Sequence, residues 1–280
     1  MSTIATFGPS QAQRPATRVA RAVSDGAALA GRNLRHIPRV PEKLAMVSFQ
    51  PIIFVLLFGY LFGSAIAVPG SNYREYVVAG IFTQMMVLGA STTAVGIADD
   101  LNKGLIDRFR SLPIARSALL VGRTTADLAL SVFSCVVMAC AGFAIGWRIT
   151  RGFGPAIAGF GLLLLLGFAM AWVGALIGLI IRDAESVNAA TFGVLMPVTF
   201  LSNAYIPTTH LPGWLREVAN WNPVSATVTA CRQLFGNQPG ALPASWPGQH
   251  AVALSGAWSA LILLLCVPLA VRAYRRATNR

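Results

Sequence analysis

The feature that most constrains this chain is the recurrence of apolar blocks about as long as a membrane is thick. Six can be drawn, at approximately Met46–Val68, Tyr76–Ala98, Leu128–Trp147, Pro155–Ile181, Val187–Ile206 and Ala251–Val271. About 20 residues of α-helix cross a hydrocarbon layer about 30 Å thick. Of the 280 residues 55% are hydrophobic and only 11% charged, against about 25% charged in a soluble globular domain. The blocks predict an all-α polytopic membrane protein with six transmembrane helices.

A net charge of +12 in a soluble domain would point to nucleic acid, but the distribution points elsewhere. With the N-terminus inside, 17 of the 22 Lys and Arg fall in cytoplasmic segments and 5 in outer ones. Membrane proteins carry this bias, so no nucleic-acid partner is needed. Both termini are expected on the cytoplasmic side of a plasma membrane. Residues 1–45 are polar and Arg-bearing, without the apolar core of a secretory signal, so the first span is expected to act as an uncleaved signal. Cys135, Cys140 and Cys266 sit in spans and Cys231 in an outer segment; packing is their expected role, with no disulfide framework.

Outside the spans, residues 1–16 are rich in Ser, Thr, Gln and Pro and read as a disordered tail. Residues 17–45 alternate cations such as Arg18, Arg21, Arg32 and Arg35 with Val19, Leu29, Leu34 and Ile37. That pattern suits a helix lying in the headgroup layer, or a solvated tail; Pro38 and Pro41 then turn the chain into span 1. The six-helix transmembrane domain is 46–271 and the closing residues 272–280 read as a cytoplasmic tail. Three Gly-x-x-x-Gly pairs fall inside spans: Gly59 with Gly63, Gly142 with Gly146, and Gly174 with Gly178. They permit close helix approach, chiefly within the chain, although Gly59 and Gly63 can also face a second subunit.

The segment 207–236, between spans 5 and 6, is too polar to span and too apolar for an ordinary loop. Trp214 and Trp221 lie seven residues apart, about two helical turns, and so share a face suited to the headgroup level. Helices that dip into the outer surface, broken at Pro212 and Pro223, fit this composition. Non-helical backbone at that depth needs protein or a wet cavity around it.

Catalytic chemistry finds no constellation. The histidines are His36, His210 and His250, and none has a partner at metal-ligand spacing. The lysines are Lys43 and Lys103, and neither closes a phosphate-cradling Gly-rich loop. Asp183 and Glu185 fall in a short turn and read as a connector that caps a helix. Asp127, near the inner end of span 3, follows Arg123 by four residues, the spacing of a local ion pair. Among the uncharged polar residues of the spans, Gln84, Thr92, Thr199 and Asn203 are candidates to line a translocation path; the same groups can equally bond neighbouring backbone.

Between spans 2 and 3 charge returns. From Asp100, the apolar Leu101, Leu105, Ile106 and Phe109 recur at helical spacing among Lys103, Asp107, Arg108 and Arg110, and Pro113 ends the pattern. The segment 100–110 therefore reads as a short amphipathic helix on the cytoplasmic face. It either rests on the bilayer or docks on a partner.

Here the sequence resembles a known family. "KGLIDRFRSLPIAR", Lys103 to Arg116, is similar to the cytoplasmic loop of type-2 ATP-binding-cassette export permeases. "RNLRHIPRVPEKL" followed by "QPIIFVLLFGYLFGSAI" resembles the start of the daunorubicin-resistance branch, and "SNAYIPTTHLPGWLREVANWNPVSATVTACRQLFG" resembles its outer segment. Asp100 and Asn102 stand where relatives often carry Glu.

The resemblance implies two permease subunits, identical or paralogous, on two copies of a separate P-loop ATPase. That ATPase binds ATP and Mg, and this chain holds no cofactor of its own. Leu101, Lys103, Leu105, Ile106, Phe109 and Arg110 would form the ATPase-coupling helix. Pro212, Trp214, Trp221 and Pro223 would mark an outer gate. The implied cargo is a hydrophobic or amphipathic drug or lipid, with a glycan or glycolipid as the alternative. An ion-gradient carrier is the less favoured reading, since no ion relay can be built from these spans.

Overall fold

A computed structural model describes residues 41–61, 72–102, 118–181, 183–208, 211–240 and 245–278. Among them every regular element is helical. They are α1 (Pro41–Leu56, continued by the π-helical turn Leu57–Leu61), α2 (Tyr73–Asn102), α3 (Ala118–Ala144), α4 (Phe153–Ile180) and α5 (Ala184–Phe200). After these come the short α6 (Gly213–Trp221), α7 (Pro223–Phe235) and α8 (Trp246–Gln249), then the long α9 (Ala251–Thr278). Four segments, in α2, α3, α4 and α9, are long and apolar enough to cross a membrane; the apolar stretch Ser48–Leu61 of α1 is shorter.

Several boundaries differ from the sequence expectation. α3 begins at Ala118 rather than near Leu128. Its first turns carry Arg123 and Asp127, whose charges mask the helix from hydropathy but are paired with each other. Trp147 and Gly146 lie beyond the end of α3, and Gly146 takes a φ of 100°, a turn conformation that glycine alone adopts cheaply. Gly142 and Gly146 are therefore not a helix-packing pair. α5 stops at Phe200, and residues 201–206 form an irregular turn rather than the end of a span. Helix α9 runs through Thr278, past the expected limit at Val271. Asp100, Leu101 and Asn102 are the last turn of α2. Residues 103–110 lie outside the described residues, as do 1–40 and Gly63.

α2 is the central post of the bundle. It is dense in small residues, and its sides are enclosed by α3, α4, α5, α7 and α1. The α2–α4 seam is where Gly174 and Gly178 act: a Cβ on Gly174 would stand 2.1 Å from Ala90 O, and one on Gly178 2.3 Å from Ala94 O. Glycine at both positions brings the two backbones together, so this pair packs within the chain. Gly80 does the same against the irregular turn, with its added Cβ 2.1 Å from Ala204 O. At the other extreme, α9 turns Leu261, Leu264, Leu265 and Leu269 outward. A continuous apolar exterior of this kind matches lipid rather than water.

The end of α2 at Tyr73 is closed by aromatics. Phe82, Trp147, Phe160 and Phe235 meet with ring centroids 5.1 to 6.5 Å apart. Trp147 also donates from Nε1 to Asn237 Oδ1 at 2.8 Å, and Asn237 donates to Arg148 O at 2.9 Å. The α3–α4 turn is thereby fastened to the end of α7. Cys231 and Cys135 are buried free thiols, in keeping with packing roles.

Candidate functional site

Two polar constructions stand out in this apolar bundle, one near each end of α2. The first joins the ends of α2 and α3 that border segment 103–117. Arg123 of α3 reaches Asp100 of α2, with Nη1 to Oδ2 at 3.1 Å, and Asp127 of its own helix, with Nε to Oδ2 at 3.6 Å. Thr93 Oγ1 donates to the same Asp127 oxygen at 2.7 Å. The pair expected from the i,i+4 spacing is present, and the interhelical bond to Asp100 adds to it. Gly96 makes room for it, since a Cβ there would overlap the guanidinium at 1.7 Å from Nη2. One guanidinium thus clamps the end of α2 to the start of α3, the two helices that flank residues 103–117 in the sequence.

Beside this clamp a cleft of about 260 Å³ opens between α1, α2, α3 and α4. Thr92, Thr93, Arg123, Asp127, Ser131 and Ser134 form its polar wall, and Met85, Met86, Leu88 and Leu130 its apolar one. The Thr92 and Ser131 hydroxyls are satisfied by backbone, donating to Gly89 O at 2.8 Å and Asp127 O at 3.0 Å.

The second construction surrounds Arg232 of α7, only 2% exposed. Its Nε donates to Tyr76 O at 2.9 Å, and its Nη2 donates to Asn203 O and Ala204 O, both at 3.0 Å. Tyr76 in turn donates its hydroxyl to Asn203 O at 2.9 Å. The Asn203 side chain donates to Thr229 Oγ1 at 2.7 Å, and its backbone N–H to Ser225 Oγ at 3.1 Å. A buried cation with carbonyl partners therefore ties α7 to α2 and to the turn after α5. Sequence reading counted Arg232 only as an outer-segment charge. The available signal was its position inside the apolar run "TACRQLF", where a charge needs partners.

The sequence-derived path residues are dispersed. Gln84 is buried and accepts from the Tyr205 hydroxyl, Thr199 is buried with its hydroxyl on Leu195 O at 2.8 Å, and Asn203 belongs to the Arg232 lock. Thr92 alone of the four lines the cleft. In the outer segment Pro212 precedes α6 and Pro223 is the first residue of α7, so both prolines start helices. Trp214 is 72% exposed, while Trp221 stacks on Trp246 at 5.8 Å. Of the coupling residues, half-buried Leu101 packs against the cluster of Ile97, Leu120, Trp172 and Tyr274. Lys103, Leu105, Ile106, Phe109 and Arg110 lie outside the described residues. The expected cap is present: Asp183 Oδ2 accepts from Ser186 N at 2.8 Å. Hydrogen bonding by the Ser186 side chain first, and by this backbone N–H second, holds the Asp183 carboxyl below its usual range. Among the described residues no group of three or more His, Cys, Asp or Glu is placed to hold a metal ion.

A helical bundle with four helices long and apolar enough to cross a membrane among the described residues is that of a multi-pass membrane protein. Residues 26–235 match the ABC-2 type transporter family, and the chain belongs to it. Relatives include the daunorubicin resistance ABC transporter permease protein DrrB1 of Streptomyces coeruleorubidus, 30% identical over 266 residues, which are 95% of this chain and 90% of that one. The probable doxorubicin resistance ABC transporter permease protein DrrC of Mycobacterium tuberculosis (strain ATCC 25618 / H37Rv) is 25% identical over 233 residues, 82% and 80% of the two chains. The putative transport permease ycf38 of Cyanophora paradoxa is 24% identical over 205 residues, 72% and 70% respectively.

Proposed function

We propose that this chain is the membrane subunit of an ATP-binding-cassette exporter that moves hydrophobic or amphipathic drugs or lipids out of the cell. A separate P-loop ATPase, in two copies, supplies the work. The observation that carries this reading is the 30% identity to a daunorubicin-resistance permease along 95% of the chain.

In this reading both termini are cytoplasmic and six helices span, with α1 and α5 joining α2, α3, α4 and α9. The charge distribution along the sequence supports that orientation. α7, buried between α2, α4 and α9 yet too short to cross, is then a re-entrant helix entering from the outer face. Segment 103–110 meets the ATPase, and the Arg123 clamp transmits its displacement to α2 and α3 together. A second permease subunit completes the path. Closure of the nucleotide-bound ATPase pair moves each subunit as a body, and the path opens at the interface between them.

The test is efflux in cells. Expressed with its partner ATPase, the chain should lower accumulation of a fluorescent anthracycline, and a Walker-lysine variant of the ATPase should abolish the effect. Equal accumulation with and without the pair would count against drug export.

A further inference from the structure

Helix α9 carries two opposite stripes. Val267, Ala270 and Tyr274 face inward, in the cluster that holds Ile97 of α2, Leu120 of α3 and Trp172 of α4. On the other side Leu261, Leu265 and Leu269 are exposed. At 3.6 residues per turn the outward stripe continues through Arg272 and Arg276, both exposed. Neither arginine forms an ion pair among the described residues.

Their place along the axis matters as much as the face. From exposed Ala253 to exposed Leu269 the outward stripe is apolar, about 25 Å of helix, most of the thickness of a hydrocarbon layer. Arg272 and Arg276 then stand about 4.5 and 10 Å beyond Leu269, at the depth of the headgroups. A guanidinium there meets phosphate oxygens with paired N–H donors. A headgroup with net negative charge adds an attraction that no ammonium cancels.

Pro268 ties this face to the rest of the bundle. It has no N–H for the Leu264 carbonyl and so weakens α9 one turn before Arg272. The segment after it carries the arginines on one face and Tyr274, 4% exposed, on the other. Through Ile97 and Leu120, Tyr274 packs near the ends of α2 and α3 that flank residues 103–117.

We propose that Arg272 and Arg276 bind the headgroup of an anionic phospholipid, and that the bound lipid fixes the segment of α9 after Pro268 against the ends of α2 and α3. The ligand is a lipid rather than a soluble phosphate because the arginines continue an apolar outward stripe. Its acyl chains lie along Leu265 and Leu269 while its phosphate meets the guanidinium groups. The site rests on the membrane-spanning character of α9 and not on the exporter reading.

The experiment titrates phosphatidylglycerol against the purified full chain in neutral detergent micelles, with bound lipid counted by native mass spectrometry. Phosphatidylglycerol should bind about tenfold more tightly than phosphatidylcholine. Arg272→Gln and Arg276→Gln should each weaken it about fivefold, and the double variant about 25-fold. The double lysine variant, which keeps both charges, should stay within about threefold of the parent chain. Arg151→Gln, at an exposed cation before the far end of α4, should change nothing. Melting temperatures in phosphatidylcholine alone should match throughout, so that a fold defect does not imitate the result. Hydrogen exchange over residues 269–278 should slow when phosphatidylglycerol is added to the parent chain and not when it is added to the double glutamine variant. Undiminished affinity in that variant, or equal competition by soluble glycerol 3-phosphate, overturns the lipid site. Binding without any slowing of exchange overturns the fixing of α9. A double glutamine variant that keeps the lipid but loses the co-purifying ATPase assigns the arginines to a protein contact and overturns the proposal as well.

Discussion

The guanidinium carbon of Arg232 lies 3.4 Å from the centroid of the Tyr76 ring, while the same side chain donates to Tyr76 O at 2.9 Å. One residue of α7 thus holds both the ring and the backbone of one residue of α2. Because the cation is buried with carbonyls as its partners, removing it takes a donor from Tyr76 O, Asn203 O and Ala204 O, of which Asn203 O keeps the Tyr76 hydroxyl. Arg232→Met should cost about 3 kcal/mol, and Arg232→Lys, which keeps charge but loses the planar fork, less. Thermal unfolding in detergent, read by a thiol-reactive dye on the buried Cys231 and Cys135, measures both. An unchanged melting temperature in Arg232→Met would refute the lock.

The α2–α4 seam makes a sharper prediction. Gly174→Ala places a Cβ against Ala90 O, a backbone atom that cannot rotate away, and should destabilise by about 2–3 kcal/mol. Gly161→Ala on the same helix meets nothing within 4 Å and should be neutral or stabilising by up to about 1 kcal/mol. Paired melting curves of the two variants check the contrast.

The clamp can be weighed by a double-mutant cycle. Arg123 and Asp100 are each 28% exposed, so solvent screening limits their coupling to about 1 kcal/mol in stability. Their effect on transport should be larger. On the proposed coupling, Arg123→Gln should retain the ATPase through co-purification while losing drug-stimulated turnover, because α2 and α3 would no longer be joined through Asp100. Normal stimulation would show that the bond only staples the helices.

At the α4–α5 turn, protonation gives a local signal. The Asp183 carboxyl is held low chiefly by its hydrogen bond with Ser186. The cap is therefore fully formed above the unfolded carboxyl value of 3.8. It is lost as pH falls below that value through the lower folded one. Hydrogen exchange at the Ser186 amide should quicken across that acid range, and Asp183→Asn should flatten the response. Because the group is fully exposed, no change in global unfolding is expected.

The helices were legible because burial in lipid demands long apolar runs, and runs such as 155–181 contain little else. Span 3 was misplaced by ten residues because Arg123 and Asp127 look polar to a hydropathy window; their pairing, which cancels that polarity, is a three-dimensional fact. Half of the clamp was legible, since Asp127 follows Arg123 at helical spacing, whereas Asp100 lies 23 residues away and reaches it only once α2 and α3 are side by side. The Arg232 lock was hidden for a different reason: carbonyl partners belong to every residue and leave no mark in sequence. Gly174 and Gly178 could be seen as a motif, while Gly80, held as closely against backbone, and Gly96, which faces the Arg123 guanidinium, stand in no motif at all.

The proposed ATPase contact at 103–110 lies outside the described residues and is tested by substitution. Replacing Leu105, Ile106 and Phe109 with Asp should abolish co-purification of the ATPase while leaving the melting temperature of the permease unchanged. Retained association together with full efflux would place the ATPase contact elsewhere.

The central claim is that this chain supplies a path and another supplies the work. Proteoliposomes decide it: the purified permease with its ATPase should accumulate daunorubicin in an ATP-dependent manner, and the permease alone, with or without an ion gradient, should only equilibrate it. Uphill accumulation by the permease alone would contradict the account.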